Sequence, residues 1–213
     1  MSESHPVPPE QVRSVGIILA GGQSSRMHYQ DKALLPLGDK RVVDHVQLTL
    51  TPQVERVAIN ANRNLEQYQR LGIPVLTDLF GPNAGPIAGI YTGMLWAKAN
   101  FANIETLFCC PADVPWFPDN TKALLTQTMR QECVQVTWLC TDGQWQPLFS
   151  LWSIDTLGAL ENALAQNLYS PMALIRSLPN AMITLNNCGK GQFANLNSPE
   201  DLENARALLP HRH

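Results

Sequence analysis

The 213-residue chain lacks long hydrophobic runs. None approaches the roughly 18 consecutive apolar residues that span a bilayer, and residues 1–10 are polar, carry Pro6, Pro8 and Pro9, and lack the apolar centre of a secretory signal. An excess of one charge is also missing. The 15 Lys and Arg against 18 Asp and Glu leave −3, too balanced for a general nucleic-acid or membrane-surface binder. Cysteine provides no framework: there are five, with no Cys-x-x-Cys pair, and adjacent Cys109 and Cys110 are badly placed to chelate one zinc. With Cys133, Cys140 and Cys188 they read as buried free thiols of a reducing compartment, so a cytoplasmic setting is expected. Internal repeats, low-complexity stretches and a Ser/His/Asp signature are absent too. The length and the 45% hydrophobic content suit one globular domain. Residues 1–13 are expected to be a flexible lead-in and 14–213 a single domain.

What is present is alternation. Val15-Gly16-Ile17-Ile18-Leu19 is a short, nearly all-apolar run, the pattern of a strand buried on both faces. Strand patterns recur at 56–60, 74–77 and 106–110, the last closed by Pro111, and helical spacing covers 42–50, 65–71, 87–99 and 120–131. Strands at 134–140 and 146–152 flank Asp142-Gly143, a hairpin signal. Helices are expected at 156–166 and 171–178, and a strand at 181–185. Ser198-Pro199-Glu200-Asp201 opens a last helix with a Ser cap, a first-turn Pro and acids near the positive dipole end. Trp138, Trp145 and Trp152 recur every seven residues and read as core and sheet-face packing. The alternation predicts an α/β fold with a mostly parallel sheet flanked by helices. Ligands of such sheets bind beyond the carboxyl ends of the strands, so the residues just after each strand are the informative ones.

After the first strand come Leu19-Ala20-Gly21-Gly22-Gln23-Ser24-Ser25-Arg26-Met27-His28, then Asp31-Lys32. Two successive glycines permit a sharp turn whose N–H groups form an anion nest. Arg26 offers a planar fork of donors for phosphate, and Lys32 a mobile point charge. This is neither a Walker loop nor a dinucleotide fingerprint, since Gly-Lys-Ser/Thr and Gly-x-Gly-x-x-Gly are both absent. Asp113 follows a buried strand and is a candidate for a hard cation such as Mg²⁺, or a turn residue before Pro115. Asn60 and Asp78 stand at strand exits and are candidates for nucleotide contact, or turn formers. Asp31 is expected to orient Lys32 or cap the next segment. Gly85 to Gly89 either let backbone approach the nucleotide or simply start a helix. Asn195 and Asn197, two apart, fit one side of a strand.

Leu-Ala-Gly-Gly-x-Ser-x-Arg-Met followed by Asp-Lys resembles the signature of the molybdenum cofactor guanylyltransferase family, which shares it with cytidylyl relatives acting on the same kind of pterin. The likeness continues in order through Val57-Ala58-Ile59-Asn60-Ala61-Asn62-Arg63, Thr77-Asp78, Gly85-Pro86-Ile87-Ala88-Gly89, Cys110-Pro111-Ala112-Asp113-Val114-Pro115, Gln146-Pro147-Leu148-Phe149-Ser150-Leu151 and Phe193-Ala194-Asn195-Leu196-Asn197-Ser198-Pro199. It covers about residues 14–209. His28 stands where the family usually has Gly, a costlier residue than Gly wherever φ is positive.

The resemblance implies a three-layer nucleotidyltransferase (Rossmann-like) fold. It implies transfer of GMP from GTP to molybdopterin with release of pyrophosphate; a cytidylyl transfer to the same pterin and a non-catalytic nucleotide-binding module are the alternatives. Arg26, Lys32 and Asp113 would be catalytic, Asp113 as the Mg²⁺ ligand. Leu19, Ala20, Gly21, Gly22, Lys32, Asn60, Asp78 and Asp113 would bind GTP, with Asn195 and Asn197 toward the pterin. A monomer is expected, with molybdenum-insertion and molybdoenzyme chaperone proteins as partners and no nucleic acid or membrane.

Overall fold

The structure, a computed structural model, describes residues 13–20, 31–80 and 84–209. The elements run β1 (Ser14–Leu19), β2 (Pro36–Leu37), β3 (Lys40–Arg41), α1 (Val42–Leu50), β4 (Arg56–Asn60), α2 (Leu65–Gln69), β5 (Val75–Leu76), α3 (Gly85–Asn100), β6 (Thr106–Pro111), α4 (Thr121–Gln131), β7 (Val136–Thr141), β8 (Gln144–Ser153), α5 (Leu157–Ala165), α6 (Pro171–Arg176), β9 (Asn180–Leu185) and α7 (Pro199–Arg206). The main sheet has seven strands in the order β5-β4-β1-β6-β8-β7-β9. Its pairings are parallel except those of β8, which runs antiparallel to both β6 and β7.

Period-2 alternation assigns the strand residues to two layers of core. Ile17, Leu107, Trp138 and Trp152 share one cluster with Ile87, Ile90 and Met94 of α3 and Leu160 of α5. Ile18, Ile59, Phe108 and Leu151 share the other with Val43, Val46 and Leu50 of α1 and Leu125 of α4. Every position of β1 is buried, which explains why its sequence is a run and not an alternation. Each fully buried Ile or Leu contributes about 1.5–3 kcal/mol. A smaller cluster of Leu37, Val42, Trp116, Leu196 and Leu202 seats α7 beside the β2–β3 ribbon.

Chain reversals follow their local chemistry. Asp142 (φ 48°) and Gly143 (φ 79°) form the two-residue turn of the β7–β8 hairpin. Ser198 accepts from Asp201 N–H while Asp201 accepts from the Ser198 N–H, a reciprocal box that starts α7. The β2–β3 ribbon was not foreseen, being only two residues per strand. Two sequence expectations need correction. Trp138 and Trp152 are buried, but Trp145 is 54% exposed. It lies two residues past the turn, with its ring against Trp138 (6.0 Å between centroids) and under the Arg176 guanidinium at 4.9 Å. All five cysteines are free, yet Cys133 is exposed and Cys188 only partly covered. Among the described residues no helix is long and apolar enough to cross a membrane.

Candidate active site at the carboxyl edge of the sheet

The chain leaves β1 for β4 on one side of the sheet and returns to β6 on the other, so the strand order switches at β1. The crevice of an open α/β sheet lies at such a point. Backbone bonds extend the sheet past its last ladder pairs there: Ala20 N–H donates to Asn60 O at 2.8 Å, Ala61 N–H to Leu76 O at 2.9 Å, and Ala112 N–H to Leu19 O at 3.0 Å. Leu19, Ala20, Asn60 and Asp113 are thereby gathered at one edge. Gly21, Gly22, Arg26 and His28 lie outside the described residues.

On the β4–β5 side, Asp78 is held by two amides. Asn60 Nδ2 donates to Asp78 Oδ1 at 2.8 Å and Asn62 Nδ2 to Asp78 Oδ2 at 2.6 Å, while Asp78 N–H donates to Asn62 Oδ1 at 2.9 Å. The carboxylate is fixed in orientation, and each oxygen keeps a lone pair. Asn60 is 3% exposed, and α3 crosses directly over it at Gly89, where a Cβ would overlap Asn60 Oδ1. Gly85 starts that helix at φ +63°, where a Cβ would stand 3.2 Å from the Tyr169 carbonyl. The helix-start reading of the Gly85–Gly89 stretch therefore holds at Gly85, and Gly89 seats α3 against Asn60. In the sequence Asn62 is one residue of the stretch after the second strand and carries no signal of its own. Its role as the reciprocal partner of Asp78 depends on β5 bringing Asp78 back beside β4.

On the β6 side, Asp113 lies two residues past the strand among buried Ala112, Val114, Pro115 and Trp116. Burial pushes its carboxyl above the ordinary range, with the Lys32 charge and its own backbone N–H acting against that. Among the described residues no other side chain hydrogen-bonds it. Lys32 opens a 3₁₀ turn, Lys32–Leu34, and its Nζ donates to Asn197 Oδ1 at 2.8 Å. The segment carrying Asn195 and Asn197 is bound to the β6 exit by Leu196 N–H to Asp113 O at 3.0 Å and Phe193 N–H to Trp116 O at 2.9 Å. That segment is not a strand. Asn197 N–H donates to Asn195 O at 3.2 Å, a three-residue turn, so alternation by two does not place both side chains on one face.

Asp31 also departs from expectation. It occupies the cap position of the Lys32 turn but makes no side-chain cap bond. Its Oδ2 accepts from Tyr68 Oη at 2.7 Å and Asn64 Nδ2 at 3.2 Å. Burial, and then the Asp31 charge, push the Tyr68 phenol well above its ordinary value.

Among the described residues no cluster of three or more His, Cys, Asp or Glu side chains could cage a metal. The donor set instead fits a hard cation that keeps waters and borrows ligand oxygens: one half-buried carboxylate with no side-chain donor among the described residues, beside a lysine. Asp113 would hold such an ion.

A switch-point crevice with an anchored carboxylate on one side and a half-buried carboxylate and lysine on the other is that of a nucleotide-handling α/β protein. The MobA-like NTP transferase domain matches residues 16–181. A molybdenum cofactor guanylyltransferase of Mesorhizobium japonicum is 34% identical over 198 residues, spanning 91% of this chain and 95% of the relative. Its counterpart in Haemophilus influenzae is 29% identical over 187 residues, spanning 88% and 94%. The chain belongs to the MobA-like NTP transferase family. Among solved structures, the molybdopterin-guanine dinucleotide biosynthesis protein A of Archaeoglobus fulgidus shares the fold at a TM-score of 0.71 and 18% identity, covering 93% of this chain and 99% of that one. The CTP complex of CMP:2-keto-3-deoxy-manno-octonic acid synthetase does so at 0.71 and 15%, covering 94% and 100%.

Proposed function

We propose that the protein transfers GMP from GTP to the terminal phosphate of molybdopterin. A phosphate oxygen of the pterin forms a bond to the α-phosphorus, the α–β bridging P–O bond breaks, and pyrophosphate leaves with the bond's electrons. The attacking phosphate monoester is already ionised near neutral pH, so no covalent nucleophile or strong general base is required. The obstacle is repulsion between two anions, and positioning with charge neutralisation removes it.

The observation that carries this reading is the convergence of Asp113, Lys32 and the Asn60–Asp78 pair at one strand edge, in a chain 34% identical to a named guanylyltransferase. Asp78, oriented by Asn60 and Asn62, accepts from N1–H and the exocyclic amine of guanine, which present adjacent donors. Lys32, with Arg26 and the backbone N–H groups of Gly21 and Gly22, neutralises the triphosphate and the departing pyrophosphate. Asp113 would hold Mg²⁺, which when bound supplies Lewis acidity and a template for the phosphate oxygens. Asn195 and Asn197 lie on the pterin side, and Asn197 hands Lys32 from its resting bond to the phosphates. The same reading places the protein in the cytoplasm as a monomer serving molybdenum-insertion and molybdoenzyme chaperone proteins.

The test is pyrophosphate release from purified protein given molybdopterin, Mg²⁺ and either GTP or CTP. Release with GTP is expected. Release with CTP alone would move the assignment to cytidylyl transfer, and nucleotide binding without release from either would make the protein a carrier.

A further inference from the structure

The described fold resumes at Asp31, directly before Lys32. Asp31 is held there by Tyr68 and Asn64. Tyr68 is fully buried, and its hydroxyl hydrogen is spent on Asp31 Oδ2 at 2.7 Å. Asn64, in the left-handed conformation at φ 54° at the entry to α2, adds the second donor at 3.2 Å to the same oxygen. A buried phenol without an acceptor would forfeit its hydration, and Asp31 is the acceptor it has been given. Around this pair, Arg41 ties α1 to the same helix by donating from Nη1 to Gln67 O at 2.7 Å. The start of α2, a helix of only five residues, therefore has its exit from β4 engaged with Asp78 through Asn62 and its far end engaged with Asp31 through Tyr68.

We propose that Tyr68 is a positioning residue for Lys32, acting through Asp31, so that the short helix after β4 sets the distance between the lysine and the groups that hold the base. The proposal rests on the guanylyl-transfer reading for the role of Lys32. The geometry behind it is a chain of contacts from a core side chain to the catalytic cation: Tyr68 hydroxyl to Asp31 carboxylate, one peptide to Lys32, and Lys32 Nζ to Asn197 at 2.8 Å. Removing the hydroxyl leaves the core volume intact but gives Asp31 one donor fewer, and its carboxylate then seeks other partners, Lys32 first among them.

The experiment is a double-mutant cycle of Tyr68→Phe and Asp31→Asn, read as the Kd for GTP–Mg²⁺ by calorimetry and as KM and kcat for GTP and for molybdopterin. Tyr68→Phe is expected to weaken GTP binding five-fold or more while the KM for molybdopterin stays within two-fold. In the Asp31→Asn background the same change is expected to add less than two-fold, because its route to Lys32 is already cut. GTP affinity within two-fold of wild type for Tyr68→Phe, or an equal effect in both backgrounds, would overturn the proposal, the latter by showing a purely structural role. Should Tyr68→Phe fail to fold, Asp31→Asn with unchanged GTP affinity overturns it alone. A wild type that binds GTP without transferring it would refute the guanylyl-transfer reading and leave the binding cycle as the decisive readout for Tyr68.

Discussion

Replacing Gly89 by Ala tests how the base side of the site is built. In an exposed helix this change stabilises by about 1 kcal/mol, because Gly loses more backbone entropy. Here a Cβ would overlap Asn60 Oδ1 and lie 2.8 Å from Leu19 Cδ2. Asn60 has nowhere to go: it is 3% exposed, and its amide holds Asp78 Oδ1 at 2.8 Å and the Leu76 carbonyl at 3.3 Å. Either α3 lifts off the sheet, an overpacking cost of about 1–3 kcal/mol, or Asn60 rotates and gives up a hydrogen bond to a carboxylate worth about 1.5–3 kcal/mol. Either cost exceeds the helix gain and leaves a net loss of about 1 kcal/mol. For a domain of this size that is a fall in Tm of about 2–4 °C. GTP affinity should fall as well, since Asp78 loses one of its two orienting donors. Gly93→Ala is the control. Its nearest atoms, Ile17 Cγ1 at 3.2 Å and Leu107 Cδ2 at 3.3 Å, are side chains away from the site, so stability falls and GTP affinity does not. Thermal melts and calorimetric titration with GTP report both quantities. A Gly89→Ala protein that melts at or above wild type and binds GTP equally would refute the account of α3 seated on Asn60.

Asp113→Asn should lower kcat at least about 100-fold, and Mg²⁺ should raise the Tm of wild type but not of this variant; chelation of Mg²⁺ with excess EDTA should likewise stop turnover, with Mg²⁺ restoring it. Asn62→Ala should raise the KM for GTP about five- to ten-fold and reduce discrimination against ITP, because Asp78 keeps its charge but loses its reciprocal partner; steady-state kinetics with both nucleotides check this. Asp44 supplies a pH signature away from the site. Burial alone would raise its carboxyl, but hydrogen bonds from the Arg41 guanidinium and backbone N–H outweigh that and hold it below the ordinary range. A lowered folded-state value stabilises above the ordinary carboxylate range near pH 4 and is lost as pH falls through the lowered value. Asp44→Asn should therefore lower Tm at pH 7, and the difference from wild type should shrink in melts as the pH falls below the ordinary carboxylate range.

By itself the sequence determined which residues become strands and helices where the pattern was long or capped. The apolar run at Val15–Leu19 has the pattern of a strand buried on both faces and is one, and the helices at Val42–Leu50 and after Ser198 carried their own spacing or caps. It also pointed to Asn60, Asp78 and Asp113, each just after a strand whose carboxyl end must lie at a common edge, and to Lys32 through the Asp-Lys that follows the glycine-rich segment. Single-chain pattern does not encode which neighbour occupies each remaining bond. Tertiary structure alone paired Asn62 with Asp78, gave Asp31 to Tyr68 instead of to Lys32 or a helix cap, turned the Asn195–Asn197 segment out of a strand, and left Trp145 exposed beside two buried tryptophans. Those outcomes depend on elements separated in sequence arriving at the same place, where Asn62 meets Asp78 and Tyr68 meets Asp31.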